Sequence, residues 1–183
     1  MTDGTTNAGS TADDASDDAY GGILGAFPYA VRASDSWLFR GYAVAGGLLA
    51  ALVVVLFALA LVVLLGQTAN APGGRLTFSR AFYVFLMLLV VGPLIAPVVL
   101  VARRHRRAGS TTRYDRGLAV GGYLFVAGLY LGLVVSTPES QQRTATGVLG
   151  PALTALYDLP PAAGAVPPVV AAGLIVVLHR RLR

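Results

Sequence analysis

Four long stretches of the chain carry no charged side chain, and each is closed by arginine, proline or a polar turn. Tyr42 to Gly66 is the longest, 25 residues. At about 1.5 Å per residue it exceeds the roughly 30 Å of a bilayer's hydrocarbon and would cross it with some tilt. Ala81 to Ala102 follows and stops at Arg103. Gly117 to Ser136 stops just before Pro138, and the shorter Ala162 to Leu178 stops at His179-Arg180-Arg181. Pro167 and Pro168 fall near the start of the last run, where a missing amide hydrogen does least harm. The pattern predicts an all-α fold: an integral membrane bundle of four transmembrane helices, over 42–66, 81–102, 117–136 and 162–178.

The remaining segments read differently. The opening MTDGTTNAGSTADDASDD is small, polar and acidic. It cannot bury enough apolar area to offset its ordering entropy, which predicts a disordered N-terminal tail over residues 1–19. Ile23 to Val31, containing Phe27-Pro28-Tyr29, is apolar but short and leads to Ser34-Asp35-Ser36-Trp37. That tetrapeptide reads as a helix N-cap, with Trp37 and Tyr42 at headgroup depth. Residues 20–41 are therefore expected to be an interfacial segment that turns at Ser34 into the first span, with 42–183 as the four-helix domain. Between the third and fourth spans, Val148, Leu149, Leu153, Leu156 and Tyr157 form an apolar stripe ending at Pro160-Pro161. A short surface helix and a shallow re-entrant piece fit this stripe (147–160) equally.

Composition sharpens the picture. Charged residues make up 13% of the chain, half the share usual in a soluble domain. They avoid the apolar runs because each would cost about 2.5–3.5 kcal/mol at the centre of a bilayer. All 14 basic residues are arginine. Eleven of them (Arg32, Arg40, Arg103, Arg104, Arg106, Arg107, Arg113, Arg116, Arg180, Arg181 and Arg183) would lie on one side, and Arg75, Arg80 and Arg143 on the other. The excess of arginine marks the cytoplasmic face, so a multi-pass protein of the cell membrane with both termini cytoplasmic is expected. The loop RRHRRAGSTTRYDR resembles a nucleic-acid patch out of context. Between two spans it reads as the orientation signal, with the anionic head groups of the lipid bilayer as its partners and no nucleic acid. The acidic start and the long first run also differ from a cleavable signal peptide. The chain has no cysteine, which excludes disulfides, thiol nucleophiles and cysteine-based metal sites.

Candidate packing features are clearer than candidate chemistry. Gly117, Gly121, Gly128 and Gly132 form two small-xxx-small motifs and fall within a stripe roughly 60° wide. Ala43, Gly47, Ala51 and Ala58 make a comparable stripe on the first span. Close packing of spans one and three is the expected use, with a homodimer seam as the alternative. In the second span Pro93 and Pro97 withhold two amide hydrogens and predict a kink. Such a break can expose carbonyls to a substrate or ion in transporters, but here no charged group accompanies it, and a static kink is favoured. His105 and His179 lie beside arginines and are expected to be solvated. Asp115 is expected to pair with a neighbouring arginine. Tyr123 and Tyr130 share a face of the third span and are read as packing residues. No acidic or basic side chain lies within the four runs, and no P-loop, paired-histidine metal motif or nucleophile elbow appears. The sequence therefore predicts no catalytic residue, no metal ligand and no cofactor, and no enzyme.

The stretch AFPYAVRASDSWLFRGY leading into AVAGGLLAALVVV, together with RYDRGLAVGGYLF and YLGLVVSTPE, resembles small multi-pass membrane proteins of haloarchaea of unknown function. The resemblance covers Gly21 to the C-terminus. It implies a polytopic membrane protein and carries no catalytic residue with it. An acidic tail, the lack of lysine and the Ala/Val/Gly-rich spans point to the same halophilic archaeal source. The expected role is an accessory or scaffold component acting through helix packing, with other membrane proteins or with itself. The alternative is a channel or transporter subunit that uses the proline-kinked second span.

Overall fold

The computed structural model describes residues 22–67, 75–142, 148 and 150–182; the acidic tail expected over 1–19 lies outside them. Among the described residues six helices run in chain order: α1 (Gly22–Ala33), α2 (Trp37–Gln67), α3 (Arg75–Ala108), α4 (Thr112–Val135), α5 (Gly150–Tyr157) and α6 (Val166–Leu182). Short 3-10 turns at Glu139–Gln141 and Pro161–Ala165 flank α5, and no strand occurs among the described residues. Four segments are long and apolar enough to cross a membrane: Trp37–Gln67, Phe78–Ala108, Thr112–Val135 and Pro161–Leu182.

The four expected spans are all present, but α2 and α3 outrun their apolar stretches at both ends, α4 starts five residues early, and α6 begins only at Val166, after the 3-10 turn, and runs on to Leu182. Backbone hydrogen bonding does not stop where a side chain becomes charged, so α3 carries on through Arg103 to Arg107. The ends are set instead by turn chemistry. Gly109, with φ of 71°, breaks α3 in the left-handed region that favours glycine. Two residues later Thr111, extended at φ −100° and ψ 145°, caps α4 through its side chain, which accepts from the Tyr114 amide. Ser36 does the same for α2, accepting from the Phe39 amide at 3.3 Å.

The buried core gathers near the arginine-rich end of the bundle. Phe39 and Tyr42 of α2, Leu94, Val98, Val101 and Ala102 of α3, and Tyr114, Leu118 and Ala119 of α4 are all buried there. The segment before α2 is itself helical: α1 packs on α3 and α2, burying Ala26 and Ala30, with Pro28 on its exposed side. The far halves of α2 and α3 meet through Phe57 and Tyr83, with ring centroids 5.1 Å apart, and leave Leu59, Val62, Phe82 and Phe85 exposed. Lipid tails are as apolar as these side chains, so in a bilayer they need no further cover. Within the segment expected to be interfacial or re-entrant, the described residues form α5, which rests on α4.

The glycines of α4 pack differently from the expectation. Their partners are α6 and the 3-10 turn before it, not the first span. A side chain on Gly117 would overlap Leu182, one on Gly121 would meet Ile175 at 3.1 Å, and one on Gly128 would meet the Pro167 backbone at 3.0 Å. Gly132 lies against the carbonyl of Gly164, and reciprocally a carbon added at Gly164 would come within 2.7 Å of the Gly132 carbonyl oxygen. Two facing glycines let main chain touch main chain, which no larger pair allows. α2 does pack on α4, but through Tyr42 against Gly122 and Tyr123, and not through the α4 glycine stripe. In the matching stripe on α2, Gly47 seats the ring of Phe27 from α1, and Ala51 and Ala58 are exposed.

Candidate functional site

Polar side chains converge where α1 turns into α2 and α3 turns into α4. Ser34, Ser36 and Asp115 are fully or almost fully buried. Asp115 stands in the first turn of α4, brought inward by the Thr111 cap. Its Oδ2 accepts from Ser34 Oγ at 2.6 Å and lies 3.0 Å from His105 Nε2, while Oδ1 accepts from Ser110 Oγ at 2.7 Å. The partners among the described residues are thus two serines and a histidine, where an arginine was expected.

Ser34 is used at every polar atom. Its hydroxyl also accepts from the Ser36 amide at 3.2 Å, its carbonyl accepts from Arg40 Nε at 2.7 Å, and its amide donates to the Ala30 carbonyl at 3.1 Å. One carboxylate therefore holds the α1–α2 corner, the last turn of α3, the α3–α4 turn and α4 itself. The residue types are those of a hydrolytic triad, but the connectivity is not. In a triad the histidine stands between the hydroxyl and the carboxylate and takes the proton. Here both hydroxyls and the ring donate to the same acid, which makes a structural tie. Asp115 and His105 together would give a metal two ligands, short of the three or four a zinc site uses, and no cluster of three His, Asp or Glu occurs among the described residues.

A second tie anchors the end of α6. His179 Nδ1 lies 2.7 Å from the Tyr114 hydroxyl, the Arg104 guanidinium stacks over the Tyr114 ring at 4.2 Å, and Arg104 donates to the Leu182 carbonyl at 2.8 Å. The last contact satisfies a carbonyl of a helix C-terminus, and the cation also complements its dipole. Both histidines, expected to be solvated, are therefore engaged and partly buried. Each reaches a neighbour 10 or 65 residues away in sequence, which local spacing does not reveal.

Pro93 and Pro97 both lie inside α3, and the helix continues through them. Pro97 is buried with its neighbours Leu94 and Val98. Across from them Tyr42 of α2 donates its hydroxyl to the Leu94 carbonyl at 2.7 Å. The ring of Tyr42 lies on Gly122 of α4, where any side chain would overlap it, and on Gly46 of its own helix. Tyr123 meets Tyr42 edge to face, centroids 5.2 Å apart, whereas Tyr130 faces outward. Of the two aromatic residues expected at headgroup depth, Trp37 is exposed and Tyr42 is fully buried; Gly122 has no place among the packing motifs. The available signal was a glycine immediately beside the Gly121 position, on a different face of the same helix.

Neither a curated protein nor a solved structure matches the chain. A family model does match, over residues 1–183, and the chain belongs to the family it describes: Domain of unknown function (DUF8056).

Proposed function

We propose that this chain is a static scaffold or accessory component of the cell membrane of a halophilic archaeon, with both termini cytoplasmic, acting through helix packing and without catalysis of its own. The observation that supports it most is the Tyr42 contact with Leu94. The proline-containing stretch of α3 packs against a buried hydroxyl, and the glycine furrow of α4 is lined by α6 and the turn before it, which supports a static role. Partner helices would then approach the outer halves of α2 and α3, where Ala51 and Ala58 remain exposed and permit close contact. The anionic head groups of the cytoplasmic leaflet would neutralise the arginines at the opposite end.

Single cysteines test this, since the chain has none of its own. Leu94→Cys and Pro97→Cys should resist small water-soluble thiol reagents. Ala108→Cys should react only after cells are permeabilised, and Ser140→Cys in intact cells. Vesicles containing the protein should pass no solute. Labelling at Leu94→Cys together with a flux altered by Pro93→Ala would replace the scaffold by a conduit, and exchanged reactivity at 108 and 140 would invert the topology.

A further inference from the structure

Between α1 and α2 lies a groove of about 510 Å³, walled by Phe27, Pro28 and Val31 on one side and Val44 and Leu48 on the other, with Arg32 at its rim. That volume falls within the roughly 300–1,000 Å³ of small-molecule sites. The groove exists because Gly47 has no side chain: a carbon there would come within 2.9 Å of the Phe27 ring. Phe27 thus sits directly on the α2 backbone, while Val44 (56% exposed) and Leu48 (69%) stand free beside it.

We propose that this groove binds one anionic phospholipid, with a hydrocarbon chain along α2 and the phosphate on Arg32. Charge identifies the polar end. Arg32 is exposed and has no hydrogen-bond or ion-pair partner among the described residues, whereas Arg40 and Arg104 at the same end are spent on the Ser34 and Leu182 carbonyls. Guanidinium and phosphate match in geometry and pair by charge-assisted hydrogen bonds. Position identifies the apolar end. Below the groove the exposed side chains Leu52, Val55 and Leu59 continue the line of Val44 and Leu48 on one face of α2. From Val44 to Leu59 the helix rises about 22 Å, enough to accompany a lipid chain through one leaflet, about half of the 30 Å hydrocarbon. α1, at 12 residues, rises only about 18 Å and walls the upper part of this track alone. A concave apolar slot with one unpaired cation at its mouth has the polarity of a phospholipid and of little else in its surroundings. The proposal holds whether or not the protein acts as a scaffold.

Native mass spectrometry of the full chain in non-ionic detergent tests it, with phosphatidylglycerol and phosphatidylcholine of identical chains as probes. One phosphatidylglycerol per protein should be retained in preference to phosphatidylcholine. Arg32→Gln should weaken retention about tenfold or more, the usual worth of a hydrogen bond to a charged group. Arg32→Lys should keep most of it, and Arg116→Gln, which removes an exposed arginine at the same end, should change it little. Val44→Trp should fill the slot and abolish binding, with circular dichroism reporting whether it folds; Arg32→Gln decides the matter if it does not. A hundredfold excess of glycerol phosphate should displace nothing. Equal retention of both lipids, equal losses from Arg32→Gln and Arg116→Gln, or displacement by glycerol phosphate would each overturn the proposal, the last in favour of a chain-independent anion site.

Discussion

Gly122→Ala adds one methyl group to α4, and the structure makes its consequence a contest between two effects. Alanine in a helix interior is worth about 0.8–1.0 kcal/mol over glycine. Against this, the new carbon would overlap the ring of Tyr42, which is fully buried between α2, α3 and α4. Overpacking of this kind costs about 1–3 kcal/mol. If the ring swings aside, its bond to the Leu94 carbonyl is lost as well, about 0.6–1.7 kcal/mol for an interhelical bond in a membrane. The balance is a net loss of about 2 kcal/mol, whereas Gly173→Ala, with nothing within 4 Å of the new carbon, should gain up to about 1 kcal/mol. Reversible unfolding in mixed micelles, followed by circular dichroism, measures both. Repeating Gly122→Ala in a Tyr42→Ala background isolates the pair, and the coupling should be at least about 1 kcal/mol. A Gly122→Ala protein as stable as its parent, or an identical loss in both backgrounds, would show that Tyr42 does not close on Gly122.

Asp115→Asn should lower stability in the same assay by about 1–2 kcal/mol, because a single amide oxygen replaces two that serve three donors. Asp115→Ala, which strands Ser34 and His105, should cost about 3 kcal/mol, and equal stability of all three proteins would remove the tie from the argument. Gly132→Leu should cost at least about 2 kcal/mol, since the obstacle is the Gly164 backbone and cannot turn aside. Gly121→Leu, facing the side chains of Ile175 and Leu178 where Gly132 faces main chain, should cost less, and Gly173→Leu should stay within about 0.5 kcal/mol. Reversal of that order in thermal denaturation would contradict the α4–α6 packing.

What could be read from the chain was what the bilayer itself demands. An uncharged run such as Tyr42 to Gly66 has one stable use, so all four spans were legible. Their partners were not. The glycines of α4 announce a close neighbour without naming it, and both α2 and α6 present suitable faces; the choice is made by Leu182, Ile175 and Pro167 filling the furrow. Likewise Ser34 and Asp115 are 81 residues apart, and neither has a local pattern that distinguishes a buried tie from a solvated turn. Hydropathy also placed Asp115 outside the third span, where a charge costs nothing, and so hid the fact that neighbouring helices bury it. Gly122 is masked in the sequence by the stripe of Gly117, Gly121, Gly128 and Gly132 beside it, which already accounts for the glycine content of the helix.

The order of elements has a consequence for synthesis. The glycine face of α4 leaves the ribosome well before the helix that fills it: Gly132 precedes Leu182 by 50 residues. At about 5–20 residues per second the interval is on the order of several seconds. During it, α2, α3 and α4 already share the membrane while the furrow is lined only by lipid tails, or by whatever insertase helix stands beside it. Small residues that later bind α6 are for that time an open cradle, and the arrival of α6 is what ends it. Docking of this one short helix closes the furrow, and Arg104 and Tyr114 then hold its last turn in place.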